Sequence, residues 1–351
     1  MINIDEESIL TVGCSCKQPK GGIAVLLSNY SKYVFTEFNF VANSSNGSSL
    51  KNLFVLVAAI PVFIFKLIFN RKIKLVHIHT ASNRSFVRSA IFVRIAHFFH
   101  KKVLMHIHGG GFKSYYNRNN SFVNKIIGKC DGIIALSTVW ESFFKEKFPD
   151  ILVYVLENVI APPEIKTIEK DNKLHLLFLG LITKEKGVFD LLEVIRDNYL
   201  GFKDILMLHV AGNGEIDSLK ETITEFDIAD CVKYEGWVNG PRKTELLNEC
   251  DVFILPSYTE GLPLSILEAM SYHKPIISTP VGGIPSIVEN GVNGTLVTPG
   301  NHAEIENALR NYIDNPQLIS AQGEESAKRV SAFLPENVSN RLSAIYEHYL
   351  N

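Results

Sequence analysis

The chain has 351 residues, 46% hydrophobic and 21% charged, with a formal net charge of −2. That length fits two domains of ordinary size, and the composition excludes a disordered chain, a linker or a collagen. The near-zero charge excludes a nucleic-acid binder held by bulk positive charge, yet it sums two opposite halves: residues 1–160 carry 19 Lys and Arg against 9 Asp and Glu, and residues 161–351 carry 16 against 28.

The amino terminus opens acidic (Asp5, Glu6, Glu7), unlike a secretory signal. A first apolar run ends near Val12 and leads to Lys20-Gly21-Gly22. Paired glycines let a backbone approach a ligand closely, and a plain turn reads equally well. From Phe38 to Cys130 there are 14 Lys and Arg and no carboxylate. Such a stretch is either a solvated face or a surface that meets phospholipid, nucleic acid or a phosphorylated substrate. Within it, Asn43–Ser49 reads as a short flexible loop. Leu53–Phe69 is a 17-residue apolar run broken by Pro61 and Lys66 and followed by Arg71, Lys72 and Lys74. It is short for a membrane span, which leaves a buried core helix and a helix lying on a membrane surface beside that reading.

Further short apolar runs are expected to form buried parallel strands: Leu75–His79, Lys102–His106, Gly132–Ala135, Leu174–Phe178, Ile205–Val210, Val252–Leu255 and Pro275–Ser278. Segments of helical period alternate with them, such as Phe86–Phe99, Phe189–Arg196 and Glu215–Glu225. The polar segment Ala161–Lys173 holds two prolines and marks the change of charge sign, so two doubly wound α/β domains are expected to join there. Five scattered cysteines without a CxxC pair fit a reducing cytosol, with neither a disulfide framework nor a zinc site.

Four strand ends carry candidate chemistry. Beyond Gly21-Gly22, the run His106-Ile-His108-Gly-Gly-Gly111 could build an oxyanion hole, but the nucleophile elbow that must accompany it is absent. A glycine-rich loop carrying His108 remains, with His106 read as a satisfied core group. Gly180 to Gly187 places Lys184 and Lys186 at a strand–helix junction, where a lysine and free N–H groups suit a diphosphate. No Walker A loop occurs, and Ala211-Gly212-Asn213-Gly214-Glu215 lacks the third glycine of a dinucleotide fingerprint. Glu260-Gly-Leu-Pro-Leu-Ser-Ile-Leu-Glu268 puts Glu260 before a helix that starts at Pro263, and Glu268 among apolar neighbours. A carboxylate there demands hydrogen-bond donors, and sugar hydroxyls would serve.

Together these residues resemble glycosyltransferase family 4. The resemblance implies a GT-B fold, two Rossmann-like domains facing a central cleft. It implies an acceptor-binding domain over 1–165 joined by a crossing-back helix at about 336–351, and a donor-binding domain over 166–335. By resemblance, Glu268 takes the ribose hydroxyls of a nucleotide sugar. Glu260, with the N–H groups of Gly261 and Leu262, takes the donor sugar and phosphate region, and Lys186 takes the diphosphate. Gly21, Gly22, Lys184, Gly212, Asn213 and Gly214 line the donor, and Val281-Gly282-Gly283 also matches. His108 stands near the transferred sugar, and Asn158 near the end of the first domain. The family arginine after the first glycine of the Gly180 loop is Leu181 here. The resemblance implies a retaining transferase with no cofactor. The absence of an Asp-x-Asp motif points to metal-free chemistry in which fixed cations and N–H groups stabilise the leaving diphosphate. The expected partners are a nucleotide-sugar donor, a lipid-linked or growing glycan acceptor and an anionic membrane surface, and no nucleic acid. The expected setting is the cytoplasmic face of the cell membrane, in capsule or lipopolysaccharide O-antigen synthesis. Two alternatives stay open: a non-catalytic sugar-nucleotide or glycan-binding module, and a GT-B sugar-nucleotide epimerase.

Overall fold

The computed structural model describes the chain apart from residues 3, 18–20, 46, 170 and 351. Contacts divide it into two compact units, Met1–Ala161 with Ala332–Asn351, and Pro162–Ser331.

Unit 1 holds six parallel strands: β1 (Ile9–Cys14), β2 (Phe40–Ser44), β3 (Leu75–Thr80), β4 (Lys102–Ile107), β5 (Gly132–Ala135) and β6 (Leu152–Val155), in the order 2-1-3-4-5-6. The chain leaves β1 toward one edge and resumes at β3 on the other side, so its winding reverses between those neighbours. The crossovers are α1 (Gly22–Asn29), α2 (Ser49–Phe69), α3 (Arg84–Phe98), α4 (Phe112–Ile127) and α5 (Thr138–Lys147). Every residue of β3 is buried, as a strand covered on both faces requires.

The Leu53–Phe69 run lies inside α2, which begins at Ser49 because the Ser48 hydroxyl caps it, accepting from the Lys51 N–H at 3.3 Å. It is not a core helix. Only Ala59, Phe63 and Leu67 are buried, a single stripe at four-residue spacing that packs on the sheet and on α3. Asn43 and Ser44, expected in a loop, are buried in β2, and the helix takes Ser49.

Unit 2 repeats the plan. Strands β7 (Leu174–Leu179), β8 (Leu206–Ala211), β9 (Val232–Gly236), β10 (Val252–Leu255), β11 (Ile276–Ser278) and β12 (Gly294–Leu296) are parallel in the order 12-11-10-7-8-9. The crossovers and flanks are α6 (Val188–Asp197), α7 (Tyr199–Phe202), α8 (Ile216–Glu225), α9 (Gly240–Glu249), α10 (Leu264–Ser271), α11 (His302–Asp314) and α12 (Gln317–Val330). The proline-containing segment after Ala161 is no loose spacer. Within unit 2 the Lys166 N–H donates to Asn248 Oδ1 at 2.8 Å, Asn248 Nδ2 donates to the Glu164 carbonyl at 3.1 Å, and the Glu164 N–H donates to the Tyr272 hydroxyl at 3.1 Å. The last helix, α13 (Pro335–Leu350), belongs to unit 1, where Tyr349 donates to the Asp131 carbonyl at 3.2 Å and Arg341 pairs with Glu157.

Candidate functional site

In unit 2, β7 and β10 are hydrogen-bonded neighbours although β8 and β9 intervene in sequence. The winding reverses there, and open α/β sheets take ligands outside the carboxyl ends of the strands at such a point. Lys186 comes from the first loop and Glu260 from the second. Lys186 Nζ donates to Glu260 Oε1 at 2.5 Å, and the Ser257 hydroxyl donates to the same oxygen at 3.0 Å. Both charged side chains are largely shielded, 24% and 10% exposed.

The two loops are joined through their backbones. The Tyr258 N–H donates to the Glu185 carbonyl at 2.9 Å. Gly187, at φ +71°, passes so close to Pro256 that a Cβ would lie 2.2 Å from its carbonyl oxygen. The Gly212–Gly214 loop is bound to the first loop in turn. The Gly180 N–H donates to the Ala211 carbonyl (3.1 Å), the Ile182 N–H to Asn213 (2.7 Å) and the Glu215 N–H to Ile182 (2.8 Å). Gly261 accepts from the Gly283 N–H at 2.6 Å, and Leu262 is buried. Lys184 is exposed on the turn before Gly187, and Leu181 is 53% exposed.

Glu268 sits on α10 and is buried. Its donor is Lys243 of α9, whose Nζ lies 2.6 Å from Oε1. The need for a donor was legible in the apolar setting of Glu268. Lys243 itself was not, because nothing in a helical stretch 25 residues upstream marks one lysine as turned toward it.

In unit 1, Gly21 caps α1 at φ +93° just after β1, with Gly22 as the first helical residue. Lys20 lies outside the described residues. His108 follows β4 and meets His79 of β3, Nε2 to Nδ1 at 2.9 Å, with the rings stacked at 5.1 Å. His77 Nδ1 lies 2.6 Å from the Tyr346 hydroxyl of α13. His106 is fully buried, as a core group is, and its ring interacts with the backbone of Leu156. Its environment is other imidazoles: His108 at 4.0 Å and His79 at 4.9 Å between ring centroids. Ring nitrogens of His77, His79 and His106 all lie within 4.8 Å of one another, close enough to be candidate metal ligands.

Burial pushes His77 and His108 down to about 3, opposed at His108 by a hydrogen bond with Asn158, and holds His79 and His106 well below the ordinary value of 6.5. Below pH 6.5 the unfolded chain therefore binds protons that folded unit 1 refuses, and stability falls as pH falls. Each histidine contributes about 1.4 kcal/mol per pH unit. The unfolding transition of unit 1 is expected to drop between pH 7 and pH 5 in calorimetry. An unchanged transition would show that the rings accept protons while folded.

Residues 163–329 match the family described as Glycosyl transferases group 1. An uncharacterised glycosyltransferase of Methanocaldococcus jannaschii, MJ1069, is 29% identical over 279 residues, covering 72% of this chain and 70% of its own. A 41.2 kDa protein encoded in the cps region of Klebsiella pneumoniae is 23% identical over 94% of this chain and 97% of its own. Among solved structures, Anabaena HepE in complex with UDP and glucose superimposes with a TM-score of 0.75 at 18% identity, covering 97% of this chain and 99% of that one. That likeness bears on the fold: two parallel-sheet, Rossmann-like domains of the GT-B kind.

Proposed function

We propose that this chain, a glycosyltransferase of the group 1 type by the match of its second unit, moves a sugar from a nucleoside-diphosphate donor to a lipid-linked or growing glycan acceptor. In this reading it works at the cytoplasmic face of the membrane, in surface polysaccharide synthesis. The observation that carries it is the Lys186–Glu260 pair at the point where the sheet of unit 2 reverses its winding. The relative in a cps region supports the polysaccharide setting, and HepE, solved with UDP and glucose, supports a uridine donor.

The chemistry follows from the charges. As the bond from the anomeric carbon to the diphosphate breaks, negative charge grows on the departing oxygen. Lys186 supplies a fixed cation, and the amino end of α6, starting at Val188, supplies N–H groups without helical partners. Lys184 adds charge at the rim. Donor arrival lets Lys186 exchange Glu260 for phosphate, which frees the Glu260 carboxylate for sugar hydroxyls. Glu268 takes the ribose hydroxyls from Lys243 in the same way. The acceptor oxygen bonds to the anomeric carbon on the leaving-group face, so configuration is retained, and its proton leaves with the diphosphate. In this reading Lys186, Lys184 and the N–H groups of α6 act in place of a divalent cation at the diphosphate.

A panel of UDP, GDP and ADP sugars tests this. A ligand at 100 times its Kd adds about 2.7 kcal/mol of stability, a clear thermal shift. UDP-hexoses are expected to stabilise the protein and release UDP on turnover at the same rate with and without EDTA. Binding with no release for any acceptor would make the chain a binding module, and loss of release in EDTA would overturn the metal-free site.

A further inference from the structure

Among the described residues, the outer face of α2 has no partner. Leu50, Phe54, Val57, Phe65 and Phe69 are 64%, 68%, 59%, 60% and 69% exposed. Their spacing of three, four or eight residues aligns them on one side of the helix, opposite the buried stripe of Ala59, Phe63 and Leu67. A helix of 21 residues is about 30 Å long, so the stripe is continuous over that distance. Soluble monomers rarely expose so large an apolar patch. Phe98 of α3, which packs beside α2, is 75% exposed as well.

The charge around this face identifies what covers it. From Ser49 to Ile127, across α2, α3 and α4, the sequence contains no Asp or Glu. Lys51 and Arg84 are exposed at the amino end of α2, where an Arg84 guanidinium nitrogen donates to the Ser49 hydroxyl at 3.1 Å. At the other end the charges are mixed: Glu6, Glu7 and Glu37 share a depression with Phe69 and Lys72, and Lys72 pairs with Glu7. An apolar face bordered by cations at one end and lacking carboxylates of its own suits an anionic lipid leaflet.

We infer that α2 docks unit 1 on an anionic membrane, lying in the plane of the interface with Phe54, Val57 and Phe65 in the acyl boundary. It does not span. Phe63 is fully buried against Phe92 of α3, with ring centroids 5.1 Å apart, and Lys66 Nζ donates to Asn39 Oδ1 at 2.5 Å. Crossing the bilayer would withdraw both from unit 1. The inference rests on the proposed transferase only for its purpose, bringing the enzyme to a lipid-linked acceptor.

The test uses the full chain and vesicles of phosphatidylcholine, alone or mixed with phosphatidylglycerol. The protein is expected to float with the mixed vesicles and much less with the neutral ones. Phe54→Glu with Phe65→Glu should lower binding more than tenfold, and Lys51→Gln or Arg84→Gln about fivefold each. Phe54→Ser with Phe65→Ser repeats the first arm should the glutamates disturb folding, with a thermal melt as control. Phe54→Trp should shift its emission to the blue on mixed vesicles. Equal flotation of wild type and variants, or no flotation at all, overturns the inference. So does a dimer in light scattering that the Phe54 variants convert to monomer without any vesicle binding, since a second copy would then cover the face. Release of nucleoside diphosphate to a soluble acceptor is expected to survive every variant. Its absence with flotation intact would count against the transferase and not against the docking.

Discussion

Lys186→Ala is expected to lower kcat/KM by about 10²–10³-fold, or roughly 3–4 kcal/mol of barrier, the usual effect of removing one preorganised group from a developing charge. Two effects add. In the proposed transfer, the departing diphosphate loses the cation of Lys186. Glu260, only 10% exposed at its side chain, keeps Ser257 as a donor but loses the charge that balances it. An unbalanced carboxylate then faces an anionic donor, so both KM and kcat should worsen. Glu260→Gln in the same background should recover part of the donor affinity, because it removes the repulsion without restoring the cation. The sum of the single effects should therefore exceed the effect of the double change, as expected for residues in contact. Steady-state kinetics on the four proteins, with thermal melts to confirm folding, checks this. Near-wild-type turnover in Lys186→Ala would remove the lysine from the leaving group.

Gly282→Ala should be nearly as severe although residue 282 carries no chemistry. Its backbone stands at φ +58°, where a Cβ costs about 1–2 kcal/mol. The added carbon would also lie 2.0 Å from the Glu260 carbonyl oxygen and 2.9 Å from that of Gly261. Something must move, and the nearest atoms belong to the loop that holds Glu260. A displacement of about 1 Å in a positioning group can cost about 10²-fold in rate. Gly291→Ala is the control: its φ is +79°, but among the described residues nothing lies within 4 Å of its Cβ. Both variants should melt earlier, and only Gly282→Ala should lose turnover. Equal activity in the two would show that the Glu260 loop yields without consequence.

The strands legible in the sequence and those that were not divide along a physical line. The continuous apolar runs became β1, β3, β4, β5, β7, β8, β10 and β11, the interior strands of the two sheets. β2, β6, β9 and β12 are the four edges. An edge strand pairs on one side only and keeps a partly solvated pattern. β9 carries Lys233 and Glu235, and in β6 no residue is fully buried. β2, β9 and β12 lack the uninterrupted run that marks an interior strand, whereas β6 lies in the continuous apolar run 151–156 and its edge position was not legible from composition. The candidate site divides similarly. Lys186, Glu260 and Glu268 stand out because each is a charge at an apolar or glycine-rich junction. Ser257 and Lys243 reach the same carboxylates from positions with no such contrast. The contact between His79 and His108 depends on the pairing of β3 with β4, a register that single-strand composition does not contain.

The bonds that join the Gly180–Ile182 backbone to the Asn213–Glu215 backbone bear on how this protein could change its substrate. A frame closed by main-chain ties tolerates replacement of whatever projects from it. Leu181 and Glu215 are exposed side chains of that frame, and Lys184 is exposed just beyond it. In the proposed transferase, single substitutions at Leu181 or Lys184 would alter the surroundings of the donor without refolding of the loop. The rigidity of the frame is what makes its rim evolvable.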